Sequence, residues 1–258
     1  MNASTPSPSS RQGGKSRPVH ILENALSVAF VLATLFTGFS PKMFSVNLGS
    51  VVAGILTPVP EGSGSVPTNL TPLRIGIVSG HWGNGSDSGA VCPDGTNEHD
   101  INLAIASLVR QQLEANGYNT DLLQEFDPRL DGYRAALLLS IHSDTCDVID
   151  SQATGFKVAA STYSHDQVLA ERLTACLNDR YSTITGLTNH SGSITENMTD
   201  YHAFNVIDSS TPAAIIETGF LYLDRDLLVN HPDVVANGIT AGVLCFVRSE
   251  NIQPTPTP

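Results

Sequence analysis

The chain has 258 residues, 41% hydrophobic, 6% aromatic and 15% charged; that is enough apolar side chain to bury a core, and it excludes wholesale disorder, a collagen-like repeat and a coiled coil. Its net charge of −12 is unevenly spread: residues 1–72 hold four basic and two acidic side chains, so the remainder holds 9 basic against 23 acidic, a net −14. A domain that acidic repels phosphate backbones, which argues against nucleic acid as a partner.

Residues 1–23 read as a disordered cytoplasmic N-terminus. They are rich in Ser, Pro and Gly, and Arg11, Lys15 and Arg17 precede the first acid, Glu23. Residues 24–56 read as a signal anchor or a signal peptide. No charge occurs from Asn24 to Pro41, and ALSVAFVLATLFTGF (25–39) is strongly apolar. A basic flank before an apolar run keeps the basic end inside and sends the downstream chain across the membrane. The run is short for a full span of about 20 residues, and Val51-Val52-Ala53 is the best small-residue cleavage site, so anchor and cleaved signal both stay open. TPVPEGSGSVPTNLTP (57–72) reads as a Pro/Ser/Gly linker and 251–258 as a disordered tail, leaving one folded domain over 73–250.

Within that domain strands and helices alternate. RIGIVS (74–79) predicts a first strand. Over 97–115, Ile101, Ile105, Leu108, Val109 and Leu113 form a helical stripe interrupted by Gln112, and Asn116-Gly117 predicts its stop. TDLLQ (120–124) predicts a second strand, and AALLLSI (135–141), apolar on both faces, a central parallel one. GFKVAAST (155–162) and PAAIIET (212–218) predict two more strands, with helices over 165–180 and 233–247. This alternation predicts an α/β fold with a mostly parallel sheet covered by helices on both faces.

Three of these strands end in a residue that binds metal or moves protons: Ser79-Gly80-His81, Ile141-His142-Ser143-Asp144 and Ile216-Glu217-Thr218-Gly219. Ligands of open α/β sheets bind beyond the carboxyl ends of the strands, so these side chains should converge on one rim. Glu98 opens the helix after the first strand and belongs to the same rim. Two imidazoles and a carboxylate leave a metal one open position, where it makes a bound water acidic near neutrality. A further carboxylate then transfers the proton. Glu217, inside apolar PAAIIETGF, needs a partner, a metal or a raised pKa. His99 points about 100° away around the helix from a ligand position and reads as solvated. His202, in the polar stretch before the late strand, reads as a surface or packing residue, with a substrate contact as the alternative. Trp82 is a sugar-stacking platform or a groove wall.

The four cysteines have no zinc-knuckle spacing. Cys92 and Cys146 each follow a metal-histidine segment, while Cys176 and Cys245 lie on apolar helix faces. In an exported protein the preferred pairing is 92–146 with 176–245, with free buried thiols as the alternative.

The segments IVSGHWGNGSDSGAV (77–91), NEHDINLAIASLV (97–109), LLLSIHSD (137–144) and PAAIIETGFL (212–221) together resemble the zinc-dependent N-acetylmuramoyl-L-alanine amidases of the Amidase_3 type. The likeness runs from about Arg74 to Val247, in that family's order and spacing. The resemblance implies a twisted, mostly parallel, phosphorylase/hydrolase-like sheet of about six strands flanked by helices. It implies one zinc ion per chain on His81, Glu98 and His142, with Glu217 on the family's catalytic glutamate. It also implies a bacterial hydrolase of peptidoglycan lying outside the cytoplasm, its regulator unnamed. A zinc peptidase or carboxypeptidase on stem peptides and a non-catalytic wall-binding module are the alternatives. The chain departs from the family where Ser79 and Trp82 replace the usual Pro and Gly. QEFDPRLDGYR (124–134) is short and lacks the familiar Thr-Arg.

Overall fold

The computed structural model describes residues 73–252 apart from Asn84 and Ser86. The expected N-terminal segment, membrane run, linker and tail lie outside the described residues; among those described, no helix is long and apolar enough to cross a membrane.

Chain order is β1 (Arg74–Ser79), α1 (Glu98–Ala115), β2 (Asn119–Leu123), β3 (Leu137–Asp144), β4 (Lys157–Ala160), α2 (Gln167–Thr185), the short helices α3 (Glu196–Thr199) and α4 (His202–Val206), β5 (Ala213–Phe220), α5 (Arg225–Asn230) and α6 (Pro232–Val247). The strands form one sheet in the order β2-β1-β3-β5-β4. All neighbours are parallel except β4, which runs antiparallel to β5 at the edge. The sheet has five strands, the five that the residue pattern marked, where the resemblance implied about six. Before β5 the chain turns through α3 and α4, whose Met198, Ala203 and Phe204 are buried in the core on one face of the sheet.

Period-2 alternation splits each strand between two cores. Ile75, Ile77, Leu139, Ile141 and Ile216 pack with the buried stripes of α1, α2 and α6. Val78, Leu138, Ala213 and Ile215 pack on the other face with Leu130, Tyr133, Phe204 and Ile207. Each fully buried Ile or Leu side chain contributes on the order of 1.5–3 kcal/mol of transfer free energy.

Asn97 caps α1 by accepting the Asp100 amide, and Asn116 with Gly117, at φ 88°, ends it. Gln112, the break in the stripe, donates from Nε2 to Asn237 Oδ1 of α6 at 2.9 Å. It is a polar link between two helices. Both expected disulfides form: Cys92–Cys146 ties the loop before α1 to the loop after β3, and Cys176–Cys245 ties α2 to α6.

Candidate metal centre

The site begins with strand register. His142 and Glu217 are paired positions on β3 and β5, and Lys157 of β4 pairs with Glu217. Gly80 lies just beyond the Ser79–Ile141 pair, and its amide donates to the Ile141 carbonyl at 3.0 Å. Gly80, His142, Glu217 and Lys157 thus stand in a row on one face at the carboxyl rim. A Cβ on Gly80 would lie 2.2–2.5 Å from three atoms of the His142 ring, so the imidazole occupies the space that only glycine leaves.

Glu98 enters from the first turn of α1. Its Oε2 lies 3.2 Å from His81 Nε2 and its Oε1 lies 3.2 Å from His142 Nδ1. Further donors hold the carboxylate: the Ala90 amide to Oε2 at 3.1 Å, and the Ser143 amide and Asn102 Nδ2 to Oε1 at 3.2 and 3.1 Å. Asn102 sits four residues after Glu98 on α1, and its Oδ1 accepts from Ser143 Oγ at 2.9 Å. Gly89 closes over the site at φ 61°, where a Cβ would meet Glu98 Oε2 at 2.5 Å.

The electrostatics arise from this geometry. The Glu98 hydrogen bond raises His81 to about 9. Burial pushes Glu98 up, but both imidazoles hold it well below the ordinary carboxylate range. Burial lowers His142, but the Glu98 hydrogen bond together with the charges of Glu217, Glu98 and Glu125 outweighs it and raises the ring. Burial lifts Glu217 to about 7, and Glu217 Oε2 is enclosed without a hydrogen-bond partner.

These donors fit a metal ion. His81, Glu98 and His142 each offer a ligand atom, all within 4.8 Å of one another. Two ring nitrogens aim at one buried carboxylate, so either protons or a cation must lie between them. The outer nitrogen of each ring has its own partner: His81 Nδ1 lies 3.1 Å from Asp87 Oδ1, and His142 Nε2 lies 3.3 Å from Tyr201 Oη. Such outer partners select the tautomer that presents the other nitrogen to a metal.

The expected residues His81, Glu98, His142 and Glu217 therefore meet at one rim. His99 pairs instead with Asp100 at 2.8 Å, outside the site. Trp82 is half-buried and its carbonyl accepts from the Glu125 amide at 3.0 Å. His202 stacks on Phe126 with centroids 4.1 Å apart and bonds to the Glu125 carbonyl at 3.1 Å. Asn102, Glu125 and Tyr201 escaped the reading of the sequence. A polar Asn102 beside Ile101 on a helix stripe was a signal for the first. The departure at QEFDP was one for Glu125.

The family model for N-acetylmuramoyl-L-alanine amidase, Amidase_3, matches residues 75–245. No curated protein matches the chain. Among solved structures, the N-acetylmuramoyl-L-alanine amidase of Clostridium difficile superposes with TM-score 0.57 and 23% identity, covering 70% of this chain and 99% of that one. The Nostoc punctiforme amidase gives 0.51 and 24%, covering 68% and 97%, and the Mycobacterium smegmatis amidase 0.55 and 18%, covering 69% and 98%. At these identities the likeness is one of fold. The family model spans well over half of the chain, over the same strands and rim, and so this chain belongs to the Amidase_3 family of N-acetylmuramoyl-L-alanine amidases.

Proposed function

We propose that this peptidoglycan amidase works with one zinc ion on His81, Glu98 and His142 and with Glu217 as its general base. The reaction hydrolyses the amide between the lactyl group of N-acetylmuramic acid and L-alanine. The observation that carries the zinc reading is the pair of 3.2 Å approaches of His81 Nε2 and His142 Nδ1 to separate oxygens of one carboxylate, Glu98. Nitrogen and carboxylate donors in a three-ligand set suit zinc with an open position.

Zinc held there supplies Lewis acidity, polarising the scissile carbonyl and making water acidic near pH 7. Glu217, raised to about 7 by burial, is poised to take a proton from the attacking water. Water oxygen bonds to the carbonyl carbon, the C–N bond breaks, and Glu217 returns the proton to the alanine nitrogen. Asn102, Ser143 and Ala90 keep the Glu98 carboxylate from rotating during the cycle.

A cell-wall substrate and two disulfides agree with a domain outside the cytoplasm. Retention there by the apolar run 25–39, as an anchor, is our reading of the sequence. External protease on intact cells, with a tagged N-terminus, tests it: a membrane-retained tag supports the anchor, and a shortened soluble domain supports cleavage near Ala53.

Mass spectrometry of products from purified peptidoglycan tests the reaction. Release of intact stem peptides beginning at L-alanine is expected; cleavage within the stem would instead mark a peptidase. Elemental analysis tests the ligands: about one zinc per chain in the wild type and little in His142→Ala. Equal zinc in both proteins removes His142 from the site.

A further inference from the structure

Glu125 lies in the loop after β2, which folds back onto the His81 backbone and onto Tyr201. Its side chain is buried. Glu125 Oε2 accepts the His81 backbone amide at 2.8 Å, and Oε1 accepts the Tyr201 hydroxyl at 3.0 Å. His81 is one of two described non-glycine residues with positive φ, at 63°. That left-handed backbone is strained for a residue with a Cβ and persists only where surrounding contacts hold it. Tyr201, also buried, leans edge-on against the His142 ring with centroids 5.3 Å apart.

A phenol has one proton. Because Tyr201 donates it to Glu125, its oxygen is left to accept, and the neighbour at 3.3 Å is His142 Nε2. Where a cation replaces the proton between Nδ1 and Glu98, the ring carries its hydrogen on Nε2 and donates it to the phenol oxygen.

We propose that Glu125 and Tyr201 form a single positioning bracket for both histidines. Glu125 pins the strained backbone of His81, and Tyr201 relays the same carboxylate to fix the metal-facing tautomer of His142. Neither residue touches substrate or metal in this scheme. The proposal rests on the zinc reading of this site, and the two fail separately.

The chemistry of the bracket predicts an order among variants. Tyr201→Phe removes the acceptor, so the His142 tautomer is no longer selected. Glu125→Gln goes further. Its single carbonyl oxygen takes the His81 amide, and its NH₂ donates to Tyr201. The phenol proton then turns to His142 Nε2, favouring hydrogen on Nδ1, where the metal should bind. Partners of metal-ligating histidines are worth about 10–100-fold in affinity.

The test is zinc affinity of the full domain by competition with a chromophoric chelator, together with ¹⁵N tautomer spectra of His142. Thermal midpoints of the metal-free proteins check the fold. Expected is a loss of about 10-fold in zinc affinity for Tyr201→Phe and toward 100-fold for Glu125→Gln. In the zinc-loaded wild type His142 should carry its hydrogen on Nε2, bonded to the Tyr201 oxygen; both variants should break that bond and move the Nε2 resonance, with metal-free midpoints nearly unchanged. Wild-type zinc affinity and a wild-type Nε2 resonance in both variants would overturn the bracket while leaving the zinc site intact. So would equal losses of metal-free stability and zinc affinity in both, since that marks a structural role. Zinc bound equally by wild type and His142→Ala would overturn the underlying zinc reading instead.

Discussion

The carboxyl rim and the α2–α6 helix pair each contain a disulfide, yet they are built on opposite principles. At the rim the buried groups are polar: Glu98, Asn102, Glu125, His142, Ser143 and Thr218, joined by hydrogen bonds into one network. Between α2 and α6 the contact is apolar and close. Gly238 lies against Tyr181 and Gly242 against Leu177, with Cys176–Cys245 crossing the gap. The difference teaches where each kind of rigidity is used. Close packing fixes the distance between elements, whereas polar networks fix the direction of individual lone pairs.

The sharpest break of this comparison removes one charge from the rim. Glu217→Gln keeps the shape and the zinc but loses the base, so kcat should fall by roughly 10²–10⁴-fold. Glu98→Gln should release zinc. If Glu217→Gln releases the metal and Glu98→Gln keeps it, the two carboxylates have been assigned the wrong way round.

Next come the disulfides. Replacing Cys176 and Cys245 by Ala should cost about 2–4 kcal/mol of unfolding free energy, because the bridge closes a long loop, with zinc affinity unchanged. Replacing Cys92 and Cys146 should also lower zinc affinity, by about 10-fold, since these residues flank the segments carrying Glu98 and His142. Denaturant titrations and chelator competition on both double variants separate the two regions. Identical behaviour would erase the distinction.

Gly242→Ala probes the helix pair alone. The added Cβ would lie 2.8 Å from Leu177 Cα, a backbone atom that cannot swing aside. A loss of about 1–3 kcal/mol is expected, without change in zinc content.

The smallest effect is in pH. In the metal-free protein, Glu98 raises His81 to about 9. A raised pKa means that the charged ring stabilises the fold. This contribution is complete below the unfolded value of about 6.5 and is lost as pH rises through about 9. Metal-free protein should therefore be less stable to urea at pH 9.5 than at pH 6. Under the zinc reading, the metal would take the place of the protons, so the zinc-loaded protein should show little of this slope. Equal slopes with and without zinc would mean that His81 does not face Glu98 in solution.

Much of the molecule was legible in the sequence. Apolar runs bounded by Gly, Asn and Pro marked each strand and long helix to within a few residues, because period and turn chemistry are local properties. Strand-end placement brought His81, Glu98, His142 and Glu217 to one rim, since a parallel α/β order forces the carboxyl ends together. The short helices α3 and α4, which the residue pattern did not mark, were decided only by packing on the second face of the sheet. So was the meeting of Glu125 with Tyr201, 76 residues apart in the chain. Residue type and spacing carry the pattern of burial, but the partner of a buried polar atom is chosen by the side chains that folding brings from distant segments. That choice exists only in the tertiary structure, because a hydrogen bond requires positions correct to a few tenths of an ångström.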